Sequence, residues 1–228
     1  MADEDSRKRL DQFVDAAFGF AVTLLLITGA EPPRDLADLR AALLNLPSSA
    51  AAFVLIVLFW SSHRAFGRVT PVRDASTTLL SLAVVFTVLV YVYPLRFLMQ
   101  ALFHWLSLGR LPGRELIDGL GDLASLYQIY GLGFAVLSGL VAALFACSVR
   151  LAPTPDLRDE GRSWRDAWLI CAGTGLVSMA VALLPLRAAP WLPPSIYSLI
   201  PLAIWLRGRA IARAARRSAV AASDPVAA

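Results

Sequence analysis

Runs of about 20 predominantly apolar residues constrain this chain more than any other feature. A helix of that length matches a hydrocarbon core roughly 30 Å thick and closes its backbone hydrogen bonds within itself. Six such runs are expected, at roughly 13–29, 48–66, 76–98, 123–149, 165–187 and 190–207. The composition agrees: the chain is 57% hydrophobic and 17% charged, with a mean hydropathy of +0.63. Soluble domains are about 45–50% apolar and 25% charged. The expected class is an all-α polytopic membrane protein with six transmembrane helices.

The first run is the shortest, follows Arg7, Lys8 and Arg9, and ends in small residues, so a cleavable signal peptide is its rival reading. Asp11 and Asp15 argue against that rival by intruding on the apolar run, and five further runs hold the chain in the membrane in either case. Orientation follows from the basic residues. Arg7, Lys8, Arg9, Arg64, Arg68, Arg73, Arg150, Arg158, Arg162, Arg165, Arg207, Arg209, Arg213, Arg216 and Arg217 fall on one side, which leaves six of the 21 for the other. The positive-inside rule then places both termini in the cytoplasm of a plasma-membrane protein, with Trp105 and Trp191 near the outer interface.

The connections are short. Residues 30–47 read as a small amphipathic helix after Pro32 and Pro33, whereas 107–122 and 150–164 carry turn chemistry. One membrane domain, 1–208, is expected, followed by a basic, Ala-rich and partly disordered cytoplasmic tail, 209–228, that can run along anionic lipid. Cys147 and Cys171 sit in apolar runs and imply no disulfide framework. The net charge of +4 comes from arginines at the ends of apolar runs, which suits lipid headgroups better than nucleic acid.

Catalytic and metal-binding patterns are not legible: two histidines, no CxxC, no phosphate-binding loop and no carboxylate pair within one run. No cofactor or enzymatic activity is expected. Gly133, Gly139, Gly173 and Gly175 suit close helix approach. Polar residues at membrane depth concentrate instead in two places. Arg9, Phe13 and Asp15 open the first run, and "FWSSHRAFGRV", Phe59 to Val69, closes the second. An Asp inside a membrane segment is costly and seeks a partner, for which His63, the Trp60 indole and Arg64 are on offer. A solvated interfacial Asp15 without a role is the alternative.

"RLDQFVDAAFGFAVTLL" together with "WSSHRAF" resembles the transmembrane protein 175 family of potassium channels. That family carries an Arg-x-x-x-Phe-Ser-Asp signature in its first helix and a Trp-x-x-His pattern at the end of its second. The resemblance rests on Arg9, Phe13, Asp15, Thr23, Trp60 and His63, and departs at Val14, where the family has Ser. It implies a homotetramer of six-helix subunits conducting potassium through a central pore lined by the first helices. It also implies that Arg9, Phe13, Asp15, Trp60 and His63 brace that helix rather than touch the ion.

A pore-lining stripe must recur at i, i+3 or i+4, and i+7. Phe20, Thr23 and Ile27 do so, with Leu24 at the edge. In a tetramer they stack as a phenyl ring, a hydroxyl ring that seats a transient potassium ion, and an outer aliphatic ring. The same spacing also fits ordinary packing against neighbouring helices. A different class, a proton-coupled carrier exchanging protons between Asp15 and His63, stays open at this stage.

Overall fold

The structure, a computed structural model, describes residues 2–27, 33–70, 74–113, 117, 119–184 and 189–222. These residues are helical or in connections. The elements are α1 (Ala2–Ile27), α2 (Leu36–Leu44), α3 (Leu46–Val69), α4 (Ala75–Leu106), α5 (Leu120–Leu151), α6 (Pro155–Val181), α7 (Leu192–Ser195), a 3-10 turn (Ile196–Leu199) and α8 (Ile200–Ala222). The long helices run up and down. Helix α4 packs against α1, α3 and α5, and α5 and α6 form the most intimate pair.

Local chemistry explains the boundaries. Asp74 caps α4 in a reciprocal box: its carboxylate accepts from the Thr77 N–H at 2.8 Å, and its own N–H donates to the Thr77 hydroxyl at 2.9 Å. Asp35 caps α2 by accepting from the Asp38 N–H, so the small helix expected after Pro33 forms. The Gln100 amide donates to Asn45 Oδ1 at 3.1 Å and ties the start of α3 to the end of α4. Beyond α4 the chain turns at Gly113, φ +149°, where a Cβ would stand 2.3 Å from the Gln100 carbonyl oxygen.

The α5–α6 pair shows why glycines sit in apolar helices. A Cβ on Gly131 would lie 2.9 Å from the Gly175 carbonyl oxygen, and a Cβ on Gly175 the same distance from that of Gly131. The two backbones therefore cross in contact, which between lipid-facing helices supplies the dispersion that hydrophobic burial cannot. Of the glycines expected to do this, Gly175 does, and Gly133 receives the Tyr91 ring. Gly139 and Gly173 face open space.

Four described helices are long and apolar enough to cross a membrane: Arg7–Ile27, Leu46–Val69, Ala75–Leu106 and Leu120–Leu151. The fifth and sixth runs take a different form from the one expected. Helix α6 begins at Pro155 behind a Thr154 cap, so most of 150–164 is helix and not a turn. Its first third carries Asp156, Asp159, Glu160 and Arg162, which lowers its hydropathy without breaking it. The run 190–207 is divided into α7, the 3-10 turn and α8, because Pro193, Pro194 and Pro201 withdraw backbone donors along it. Helix α8 then runs on to Ala222, into the basic segment 209–228 expected to be a partly disordered tail. Trp105 ends α4 and Trp191 precedes α7, both exposed.

Candidate functional site at helix α1

Helix α1 has two faces. Val14, Phe18, Ala21 and Leu25, spaced 4, 3 and 4 residues apart, are buried against the bundle. Phe13, Phe20 and Ile27, on the other face, are 53%, 56% and 62% exposed, and Thr23 is exposed between them; Leu24 is half-buried at the edge. Phe20, Thr23 and Ile27 therefore avoid the subunit's own core, whereas Leu24, at the edge of the stripe, packs against it. Arg9, 11 residues before Phe20, falls on the same face and is exposed, with no partner among the described residues. Among the described residues Arg9 makes no bracing contact with α3.

Thr23 has a specific hydrogen-bond state. Its hydroxyl donates to the Gly19 carbonyl at 3.0 Å. The single proton of the group is thus committed to its own helix, and what the side chain offers outward is oxygen lone pairs. Such a group accepts from water or coordinates a cation. Gly19 itself is open, with nothing within 4 Å of where a Cβ would stand.

On a different edge of α1, about 140° around the helix from Phe20, the Trp60 indole N–H donates to Asp15 Oδ1 at 2.7 Å. This length is typical of a charge-assisted bond. The Arg64 guanidinium lies over the same indole, 4.9 Å from the ring centroid. Trp60 therefore links α1 to α3 by its edge while its π-face carries a cation. Of the three donors considered for Asp15, the indole is the one that bonds to it.

His63 goes elsewhere. It is 3% exposed, and its Nε2 lies 3.0 Å from the Ser81 hydroxyl of α4, with the Phe66 ring beside it. The structure thus gives Asp15 and His63 separate hydrogen bonds, one on an exposed edge and one in the core. Sequence reasoning does not single out Ser81. A signal for it exists all the same: Thr77 and Ser81 are polar, one helical turn apart, and both fully buried in the first half of a largely apolar helix. Val14, where the resemblance calls for Ser, is fully buried in the apolar stripe. It adds packing there, about 100° around the helix from Asp15. Among the described residues no group of three or more His, Cys, Asp or Glu side chains is arranged to hold a metal ion.

Residues 9–94 match the profile of the family described as endosomal/lysosomal potassium channel TMEM175. A protein named potassium channel from Marivirga tractuosa is 36% identical over 94 residues. That stretch is 41% of this chain and 38% of the relative, so the chain matches well under half of that relative's length. Among solved structures, a variant of the potassium channel MtTMEM175 in complex with a nanobody–MBP fusion superposes with a TM-score of 0.78 at 25% identity. It covers 90% of this chain and 93% of its own. A lysosomal potassium-selective channel TMEM175 homolog from Chamaesiphon minutus shares the fold at a TM-score of 0.61 and 18% identity, over 89% of this chain and 98% of its own. In sequence across residues 9–94, and in fold across nearly its whole length, the chain is similar to the TMEM175 potassium channels.

Proposed function

We propose that the chain is one subunit of a homotetrameric potassium channel in the plasma membrane, with six spans, both termini cytoplasmic, and α1 lining a central pore. The fifth and sixth spans are α6 and the divided path from α7 through α8. The observation that carries the reading is the exposure of Phe20, Thr23 and Ile27 along one face of α1 while the opposite face is buried. A membrane helix near the N-terminus of a bundle has no need of a hydroxyl on its outer face. Thr23 is explained when four copies surround a path for ions.

In that arrangement the rings act in sequence. Four phenyl groups at Phe20 form an apolar constriction that closes by dewetting, and Ile27 forms a second toward the outside. Between them the four Thr23 oxygens, each with its proton turned to Gly19, present only lone pairs and replace part of a cation's hydration shell. A dehydrating monovalent cation such as potassium fits this seat, because an acceptor-only ring gives nothing to an anion. Asp15 and Trp60 hold the inner half of α1 against α3, and His63 with Ser81 holds α3 against α4.

The deciding experiment is ion flux from purified protein in liposomes, comparing potassium, sodium and N-methyl-glucamine under imposed gradients, with Phe20→Ala alongside. Potassium-favouring, non-saturating flux that rises in the variant is the expected result. Flux that saturates, or that is identical in Phe20→Ala, overturns the pore assignment. The observed bonds from Trp60 to Asp15 and between His63 and Ser81 favour bracing roles over the carrier reading.

A further inference from the structure

The channel reading leaves α8 unused beyond its first turns. Helix α8 packs on α6 and the 3-10 turn. Ile200, Ala203 and Arg207, spaced 3 and 4 apart, are its half-buried positions, whereas Leu202, Ile204, Trp205 and Leu206 are exposed around them. The seam ends at Arg207, whose guanidinium donates to Asp166, the carboxylate that Arg165 also binds at 2.7 Å. Past this latch the helix continues to Ala222, about 22 Å at 1.5 Å per residue.

The continuation is strongly basic. From Arg207 to Ser223 the chain holds five arginines and no acid; the next acid is Asp224. Positions 209, 213, 216 and 217 fall within about 100° of one another on a helix, and Ile211, Ala215 and Ala222 fall on the opposite side. Arg209 and Arg213 are exposed. The Arg209 guanidinium stands 3.9 Å from the Trp205 ring centroid, with Trp205 itself 49% exposed. An exposed Trp among the last apolar residues of a membrane helix, carrying an Arg stacked from the next turn, is the arrangement expected at a headgroup boundary.

We infer that the cytoplasmic part of α8 is a binding surface for anionic phospholipid headgroups, with Trp205 at the boundary, Arg209 and Arg213 facing the lipid phosphates, and Arg216 and Arg217 adding positive charge farther along the sequence. The occupant follows from charge and position. A segment with four arginines and no acid, continuing from a membrane helix at the cytoplasmic surface, meets the negative cytoplasmic leaflet first, and guanidinium pairs with phosphate in two-point hydrogen bonds. This inference rests on the proposed orientation and membrane insertion of the chain but not on conduction.

The test reads lipid contact directly. The full-length protein is reconstituted in phosphatidylcholine bilayers containing an equal fraction of either brominated phosphatidylglycerol or brominated phosphatidylcholine. Tryptophan quenching is measured, and Trp205→Phe assigns the Trp205 share. Quenching of Trp205 by the brominated anionic lipid should exceed that by the neutral one about twofold or more and fall as salt rises. In R209Q/R213Q/R216Q/R217Q the ratio should return to one. The salt series on the unaltered protein keeps the test valid if that variant fails to fold. Equal quenching by both lipids, or a preference insensitive to salt and to the four substitutions, overturns the proposal. Absence of quenching by either lipid also overturns it and assigns this face to a second copy or another protein.

Discussion

Replacing Trp60 by Phe keeps an aromatic ring under Arg64 but removes the one N–H that Asp15 uses. A hydrogen bond to a charged group contributes about 1.5–3 kcal/mol when well shielded. This one lies on an exposed edge, where competing water and headgroups reduce it, so Trp60→Phe should cost about 1.5 kcal/mol. Asp15→Asn leaves an acceptor but removes its charge. Charge-assisted bonds are roughly twice as strong as neutral ones, so the amide should forfeit about half, near 0.7 kcal/mol. The double variant should then be no less stable than Trp60→Phe alone, because the amide introduced by Asp15→Asn has no indole donor left to lose. The resulting coupling is about 0.7 kcal/mol, above the roughly 0.3 kcal/mol within which independent sites add. The assay is denaturant unfolding of the purified protein in mixed micelles for all four members of the cycle. If the two single losses sum in the double variant, the bond does not hold α1 to α3, and the bracing role assigned to this pair falls.

Thr23→Val removes the hydroxyl while preserving shape, so ion flux should persist with its potassium-over-sodium ratio falling toward one in the liposome assay; an unchanged ratio refutes the ring of lone pairs. Gly131→Ala sets a methyl 2.9 Å from the Gly175 carbonyl oxygen and should destabilise the subunit by about 1–3 kcal/mol in micelle unfolding, with Gly175→Ala similar and the pair less than additive. Asp74→Ala should cost about 1 kcal/mol through loss of the α4 cap. The Thr77 backbone N–H, followed by the Thr77 hydroxyl, holds the Asp74 carboxyl below its usual value of 3.8. Its folded-state value is therefore the lower one. The stability it adds is present above pH 3.8 and lost as pH falls through that lower value, a loss that acid titration of Asp74→Ala should lack.

The legible parts of this molecule are those whose signal is local. The stripe Phe20, Thr23 and Ile27 is readable because helical periodicity alone decides which residues share a face. The complementary stripe Val14, Phe18, Ala21 and Leu25 confirms that periodicity from the buried side. Helix α2 is readable because Asp35 and the prolines before it mark a start. The bond from Trp60 to Asp15 is within reach because two polar clusters at the same ends of consecutive spans must meet. The partner of His63 is not, since Ser81 lies on a third helix and its rotation about α4 is set by packing. The beginning of α6 escapes for another reason: Asp156 to Arg162 is as polar as a loop, yet a Thr154 cap and Pro155 at the first position start a helix regardless of polarity. Likewise the prolines that divide the sixth run leave its hydropathy untouched, so a search for apolar length passes over them.

Helix α1 is unbroken from Ala2 to Ile27, a rod about 39 Å long whose first dozen residues are mostly polar. Successive residues of a helix are about 100° apart, so Phe20 and Thr23 lie about 60° apart around it. Turning the rod by one sixth of a revolution about its own axis exchanges the phenyl group for the hydroxyl at whatever it faces, without sliding, tilting or unwinding any part. The polar turns around Arg9 are the handle of that rod. A torque applied to them reaches Phe20 through continuous backbone hydrogen bonds, which makes this helix a key that can be turned from the outside of the membrane core.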